Sequence, residues 1–272
     1  MTKKILLSER IFLAGSYGMA GSAILRSLKA KEYGLRKNQG SILTPNRKVL
    51  DLLDKRAVFE WFENNNPTVV ILAAAKVGGI YANSTKSADF LLENIQIQTN
   101  VIEAAWRFGV KRLLFLGSSC IYPKFAPQPI KEEYLLTGEL ESTNDCYAIA
   151  KIAGIKLCES LRYQYGFDAI SLMPTNLYGT NDNYHTNQSH VMAALIKRFC
   201  DAENNSKDEI TCWGTGSPMR EFLHVDDLGE ASVFALEKWD PGFEKFEGKN
   251  IQNLSYLNVG TGIEISISDL AK

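Results

Sequence analysis

The sequence has few cysteines, almost no net charge and no long apolar run. Its five cysteines are scattered over 272 residues, and neither a CxxC pair nor a Cys/His cluster occurs, so neither a disulfide scaffold nor a metal site is predicted. No stretch reaches the ~18 apolar residues of a membrane helix. Thirty basic and 31 acidic residues leave a net charge of −1, which gives no sign of a nucleic-acid or membrane partner. We expect a cytoplasmic protein with reduced thiols.

Short apolar runs alternate with longer segments of helical periodicity through the first two thirds of the chain. Such runs are apolar on both faces, as in a parallel sheet that is covered by helices on both sides. The fold class predicted is therefore α/β, a doubly wound parallel (Rossmann) sheet. The predicted strands are 11–14, 41–44, 69–74, 113–116 and 169–173, and the predicted helices are 20–31, 54–64, 90–108 and 145–165.

The pattern changes after Gly179. Residues 180–190 are polar, and two further helices are predicted at 191–202 and 228–238. We therefore expect a dinucleotide-binding domain at 1–178, to which 221–238 returns. A smaller C-terminal substrate-binding cap is expected at 179–272.

A glycine-rich turn joins the first strand to the first helix. Gly15, Gly18 and Gly21 have the GxxGxxG spacing that lets a backbone approach a pyrophosphate at a helix N-terminus. A purely structural turn is the alternative. After the second strand no acid occurs between Thr44 and Asp51, whereas Arg47 is basic. A cation there favours the 2′-phosphate of NADP(H), although Arg47 could also be a solvated loop charge.

Four further side chains have the chemistry of a carbonyl reductase. Tyr147 and Lys151 are four residues apart on a predicted helix and share one face, where the lysine would lower the pKa of the phenol. Ser118 follows a predicted strand, at the sheet edge where ligands bind. Two residues later, Cys120 is either a proton-transfer group or a buried small side chain.

Several longer motifs resemble the GDP-L-fucose synthase family of extended short-chain dehydrogenase/reductases. The specific ones are SSC, NQSH (within NQSHV) and SPMREFLHVDD, whereas GxxGxxG and YxxxK are shared by the whole superfamily. The resemblance begins at the glycine turn and continues to NVGTGIEISISDLAK at the C-terminus. Family members continue beyond the position of Lys272, so this resemblance implies a C-terminally incomplete, apparently truncated cap.

The resemblance implies an NADP-dependent oxidoreductase and epimerase that acts on GDP-4-keto-6-deoxy-D-mannose. Cys120 and His190 would exchange the C3 and C5 protons, and hydride would then reduce C4. Tyr147 would protonate the resulting oxygen, Lys151 would hold Tyr147 and the cofactor ribose, and Ser118 would polarise the carbonyl. The family also implies a homodimer through the helices at 90–108 and 145–165.

The resemblance also implies the binding residues. The cofactor set is Gly15, Tyr17, Gly18, Met19, Gly21, Arg47, Ala74, Tyr147, Lys151 and Asn176. The substrate set is Asn176, Arg198, Trp213 and Arg220. This chain departs from the family at Ser16 and Tyr17, where members usually carry His-Arg, and Tyr17 cannot supply the charge of that arginine.

Three other functions are alternatives to the one that the resemblance implies. A hexose 4-epimerase keeps its NAD bound and needs no Cys/His pair, and a 4,6-dehydratase needs acids where this chain has Ser118, Ser119 and Cys120. A catalytically impaired dinucleotide-binding protein is the third. No metal is expected, and His185 and His224 are expected to be structural.

Overall fold

The computed structural model describes residues 3–185, 189–212, 214–246, 249–252 and 254–272. The strands in this part of the chain are β1 (Arg10–Ala14), β2 (Ser41–Leu43), β3 (Val69–Leu72), β4 (Arg112–Leu116), β5 (Ala169–Pro174), β6 (Asn176–Tyr178), β7 (Met219–His224), β8 (Phe243–Phe246), β9 (Lys249–Gln252), β10 (Tyr256–Val259) and β11 (Glu264–Ser266). Six of them form a parallel sheet in the order β10-β5-β4-β3-β1-β2.

Helices cover both faces of this sheet. The helices are α1 (Met19–Ala30), α2 (Lys55–Asn65), α3 (Ile80–Thr85), α4 (Ser87–Arg107), α5 (Asp145–Tyr165), α6 (Val191–Asn204), α7 (Val225–Lys238) and α8 (Ile267–Leu270). On one face, Ile11 and Leu13 of β1 pack with residues of α1 and α7. On the other, Phe12 and Ala14 pack with residues of α2, α4 and α5. The doubly wound α/β fold is confirmed, and the two covered faces explain the uninterrupted apolar strands.

Local sequence signals determine where several helices begin and end. The Asp54 carboxylate accepts a hydrogen bond from Ala57 N at 3.0 Å and caps α2. Asn66 ends that helix in a left-handed conformation, and Gly166 does the same for α5. These signals lie in the sequence itself, so the predicted and observed helices agree closely.

The C-terminal third contributes one strand to the main sheet and also strands to two smaller sheets. Parallel β6 and β7, with β11 antiparallel to β7, form a separate small sheet, and β8 pairs with β9. The segment 221–238 was expected to return to the first domain; α7 packs against α1, whereas β7 belongs to the small sheet. β10 pairs with β5 in the main sheet, which was not predicted because this short edge strand is mixed in polarity.

None of the described helices is long and apolar enough to cross a membrane.

A buried arginine joins β4 to elements on either side. The Arg112 side chain is 2% exposed and pairs with Asp168. Its guanidinium also donates to the carbonyl oxygens of Trp239 and, at 3.3 Å, Ala235. Arg162 shares the Asp168 carboxylate, so one network ties β4, α5 and the end of α7 together.

Replacing Arg112 by alanine is expected to lower the free energy of unfolding by about 3–5 kcal/mol, the usual cost of removing one partner from a buried ion pair. The control is Arg107→Ala, which breaks an exposed pair with Glu103 that should contribute under about 1 kcal/mol. Urea denaturation measures both variants. Similar losses for the two would contradict this expectation.

Candidate active site

A cavity of about 2070 Å³ lies at the carboxyl ends of the parallel strands, where ligands bind in open α/β sheets. One wall consists of the glycine turn, the segment 73–79 and the residues that follow β4. Residues of β7 and α6, with the residue before α6, line the cavity as well. All predicted site residues that the structure describes line this cavity: Gly15, Tyr17, Gly18, Met19, Gly21, Arg47, Ala74, Ser118, Cys120, Tyr147, Lys151, Asn176, His190, Arg198 and Arg220. Trp213 lies outside the described residues.

The glycine turn fits a dinucleotide diphosphate. Gly15 has φ +87°, and a Cβ there would lie 2.6 Å from Ala74 N, so no side chain is tolerated. A Cβ on Gly21 would lie 2.1 Å from Gly15 O. Gly18 caps α1 without a side-chain hydrogen bond, which leaves the N–H groups of the first helical turn for an anion.

Two exposed side chains flank this turn. Tyr17 is 70% exposed. The Arg47 side chain, just after β2, is 72% exposed and lies 3.6 Å from Asp51 in an ion pair. Because an exposed pair contributes little, Arg47 can exchange Asp51 for a phosphate.

Ser118, Cys120, Tyr147 and Lys151 converge where β4 ends. Ser118 caps a single 3-10 turn, Ser119–Ile121, that carries Cys120, and Cys120 N donates to Ser118 Oγ at 3.4 Å. Lys151 Nζ donates to Leu116 O at 2.8 Å and so ties α5 to the end of β4. Ser118 also lies close enough to the Cys120 thiol and the Tyr147 phenol to act against the rise in the pKa of each.

A close approach of helix and strand makes this convergence possible. A Cβ on Gly154 of α5 would lie 2.6 Å from Cζ of Phe115 on β4. Ala148 and Ala150 of the same helix are fully buried. Small residues on this face therefore let Tyr147 and Lys151 reach the sheet edge.

Burial dominates the electrostatics of these groups. It raises the pKa of Cys120 to about 11, although Ser118 and the Lys151 cation act in the opposite direction. Burial also raises the pKa of Tyr147, and lowers the pKa of Lys151 to about 8. The sequence led us to expect that Lys151 lowers the Tyr147 pKa. Instead, Lys151 Nζ bonds to Leu116 O and lies 5.8 Å from the centroid of the Tyr147 ring.

His190 lines the cavity and lies immediately before α6. Its surface is exposed, yet neighbouring atoms desolvate it and lower its pKa, an effect that the carboxylate of Asp182 partly offsets. These observations agree because the exposed surface faces the cavity, whose walls exclude part of the solvent. Three preceding residues, 186–188, lie outside the described residues, so two residues of the NQSHV motif have no structural account.

Three further side chains of the cavity wall donate hydrogen bonds to backbone carbonyl oxygens. Asn176 Nδ2 donates to Glu221 O at 2.9 Å. Arg220 Nη1 donates to Met219 O at 2.7 Å, and Arg198 Nη1 donates to Thr211 O at 3.3 Å. Both guanidinium groups line the cavity and offer donors to an anionic ligand.

Sequence reasoning missed several parts of the cavity wall, among them residues 258–260 at the end of β10 and two loop segments. Lys76–Gly79 lies beside the glycine turn, held by Asn94, whose Oδ1 accepts from Lys76 N at 2.8 Å. The adjacent pair Gly78-Gly79 after a strand was the available signal. The second loop segment follows Tyr122 and includes Lys124 and Phe125, and it has no periodicity to reveal its position.

A family model matches residues 11–247, and its description is "NAD dependent epimerase/dehydratase family". The chain belongs to this family. The matched range contains the glycine turn, the residues after β4 and the Tyr147/Lys151 helix, so the family assignment and the cavity involve the same residues.

Individual relatives of this chain are more specific than the family model. A putative GDP-L-fucose synthase 2 of Arabidopsis thaliana is 53% identical over 97% of this chain and 75% of its own length. The GDP-L-fucose synthase of Escherichia coli K12 is 50% identical over 97% of this chain and 79% of its own length. The structure of a Campylobacter jejuni GDP-D-glycero-L-gluco-heptose synthase in the presence of NADPH has a TM-score of 0.82 at 32% identity, covering 98% of this chain and 84% of that one. The resemblance inferred from the motifs is confirmed.

Proposed function

We propose that this protein makes GDP-L-fucose from GDP-4-keto-6-deoxy-D-mannose, by epimerisation at C3 and C5 and NADPH-dependent reduction at C4. The high identity to GDP-L-fucose synthases supports this function. The observation that carries it is a single cavity lined both by the reductase group Tyr147 and by the Cys120/His190 pair. A simple ketoreductase needs only the former.

The cofactor is NADP(H), which supplies hydride for C4 when it is bound. The rigid glycine turn and the N–H groups that open α1 fit its diphosphate. Tyr17 offers a ring for the adenine and Arg47 a cation for the 2′-phosphate. We assign the remaining cofactor contacts to Ala74, Tyr147, Lys151 and Asn176.

Replacing Arg47 by alanine is expected to lower the ratio of kcat/KM for NADPH to that for NADH by about 10-fold or more, because a hydrogen bond to a charged group contributes about 1.5–3 kcal/mol. The control is Lys48→Ala, which removes a neighbouring charge that does not line the cavity. Initial rates with each cofactor give the ratio. If both variants keep the wild-type ratio of kcat/KM for the two cofactors, Arg47 does not bind the 2′-phosphate.

The Cys120/His190 pair has the protonation states that an inversion requires. A carbonyl at C4 acidifies the protons at C3 and C5, and inversion removes a proton from one face and returns one to the other. At neutral pH the raised pKa of Cys120 keeps the thiol protonated, and the lowered pKa of His190 keeps the imidazole neutral. In this resting state the imidazole can accept a proton and the thiol can donate one.

Tyr147 and Ser118 act on the C4 oxygen. The raised pKa of Tyr147 keeps the phenol protonated, so it can donate to the oxygen as negative charge develops there. The Ser118 hydroxyl polarises the carbonyl, and the buried Lys151 cation stabilises this charge and holds the ribose.

The reduction step is expected to slow above about pH 8, because the Lys151 cation, whose pKa is lowered to about 8, is present below that pH and lost above it. Single-turnover NADPH oxidation over a pH series measures this. Solvent exchange at C3 and C5 is the internal control. Losing the Lys151 cation can only raise the pKa of Cys120 further, so the thiol stays protonated and exchange should not fall near pH 8. A reduction rate that is constant up to about pH 10 would contradict the assignment.

The cap binds the nucleotide end of the substrate in this proposal. A GDP diphosphate carries about two negative charges, and arginine offers it paired donors. Arg198 and Arg220 supply them, with Asn176 and Trp213 as further substrate contacts. We propose that the dinucleotide-binding domain consists of residues 1–178 together with α7 and β10. The rest of 179–272 forms the substrate-binding cap.

We also propose a homodimer through α4 and α5, in a protein that works in the cytoplasm. These two helices pack against each other, and Leu92 and Ile149 are 58% and 47% exposed. Exposed apolar side chains on adjacent helices are typical of a self-association surface. Light scattering of the purified chain, with Leu92→Glu as the disrupting variant, tests the dimer.

The experiment that tests the function is turnover of GDP-4-keto-6-deoxy-D-mannose with NADPH in D₂O, followed by mass analysis of the product. Epimerisation at two carbons plus reduction incorporates two solvent deuterons on carbon for each NADPH oxidised. Reduction without carbon-bound solvent deuterium would instead identify a simple 4-ketoreductase.

A further inference from the structure

The residue that follows the Cys120 turn is anchored to a distant strand. Tyr122 is 4% exposed, and its hydroxyl donates to Asn258 Oδ1 of β10 at 2.5 Å. Between Ser118 and Tyr122 lies only the 3-10 turn that carries Cys120. This hydrogen bond therefore restrains the turn from its C-terminal side, as Ser118 does from its N-terminal side.

Asn258 also holds the loop of residues 123–144, which we call the roof loop. Its Nδ2 donates to Ile130 O at 3.1 Å, and its backbone N donates to Glu132 Oε1 at 2.8 Å. A carbonyl oxygen can only accept, so the Ile130 contact determines which end of the Asn258 amide faces Tyr122. Lys124, Phe125 and Ile130 of the roof loop line the cavity.

This arrangement orients groups and does not conduct protons. Burial, followed by the negative charge of Glu132, raises the pKa of Tyr122, so its hydroxyl stays protonated. The chain of hydrogen bonds then ends at an amide, which does not exchange protons readily. Asn258 therefore joins β10 to two segments that lie far earlier in the chain, the Cys120 turn and the roof loop that follows it.

We propose that Asn258, through Tyr122, is a positioning residue that aims the Cys120 thiol at the substrate and so supports epimerisation but not hydride transfer. This inference rests on the proposed function. Hydride transfer depends instead on Tyr147 and Lys151, which α5 and the end of β4 hold independently of Asn258. It also uses Ser118, which lies at the β4 end of the turn, opposite to the end that Tyr122 restrains. A small displacement of a reacting group can cost up to about 100-fold in rate.

The test compares Tyr122→Phe with Tyr256→Phe. Both variants keep the ring and remove one hydroxyl that bonds into the same network, since Tyr256 Oη donates to Glu132 O at 3.2 Å. Only Tyr122 is joined to the Cys120 turn. Exchange of deuterium into GDP-4-keto-6-deoxy-D-mannose, measured in D₂O with NADP⁺ and no reduced cofactor, reports epimerisation. Single-turnover reduction of NADP⁺ by GDP-L-fucose reports hydride transfer.

Tyr122→Phe is expected to slow deuterium exchange by about 10- to 100-fold and to leave hydride transfer within about twofold, whereas Tyr256→Phe should change neither by more than about twofold. Asn258→Ser should give the same result as Tyr122→Phe, because a serine side chain cannot reach both Tyr122 and Ile130. It serves as the test variant if Tyr122→Phe does not fold. The inference is wrong, while the proposed function stands, if Tyr122→Phe and Tyr256→Phe slow deuterium exchange equally. The same holds if Tyr122→Phe slows exchange and hydride transfer equally. A wild-type protein with no exchange overturns the proposed function, and this inference with it.

Discussion

Cys120→Ser is expected to slow deuterium exchange into GDP-4-keto-6-deoxy-D-mannose by about 10²–10⁴-fold, the usual contribution of a positioned acid or base. A serine hydroxyl is a much weaker acid than a thiol, and burial has already raised the pKa of the thiol to about 11. Affinity for NADPH should stay unchanged, because the glycine turn and Arg47 lie elsewhere on the cavity wall. Exchange in D₂O and NADPH fluorescence titration measure the two properties.

The matched control is Cys158→Ser. Cys158 lies on α5, is fully buried in the core behind the cavity and does not line it. This change should cost stability and leave exchange by the folded protein at the wild-type rate. Wild-type exchange in Cys120→Ser would remove Cys120 from the mechanism.

Tyr147→Phe is expected to slow single-turnover NADPH oxidation by about 10²–10⁴-fold, because the C4 oxygen loses its proton donor. Exchange at C3 and C5 should continue, since Cys120 and His190 are intact. Cys120→Ser is therefore expected to slow the epimerisation, whereas Tyr147→Phe is expected to slow the reduction. Stopped-flow fluorescence of NADPH follows the reduction, and mass analysis of the unreduced sugar follows the exchange.

The control for Tyr147→Phe is Tyr163→Phe, on the same helix and 73% exposed to solvent. It removes the same hydroxyl without touching the cavity, so both rates should match those of the wild type. If Tyr147→Phe reduces the ketone at the wild-type rate, another group donates the proton to the C4 oxygen. Ser118, which lies next to the phenol, would be the first to examine.

Some features of this protein followed from the sequence by itself. The helix predicted at 145–165 is α5, because its apolar periodicity and the terminating Gly166 are local signals. The glycine turn and the spacing of Tyr147 and Lys151 are equally local. The candidate site was predictable to the extent that its residues follow strands of a parallel sheet, whose carboxyl ends share one edge.

Other features required the tertiary structure. The sequence could not show that β10 joins β5, because a short edge strand of mixed polarity resembles any other cap strand. Nor could it show that Asn258 meets Tyr122, since the two residues are 136 positions apart. The direction of the Tyr147 pKa shift also depended on packing: the spacing predicted that Lys151 would lower the pKa, whereas burial raises it and Lys151 Nζ donates to Leu116 O. Burial is a property of packing in three dimensions, and no local pattern of residues specifies it.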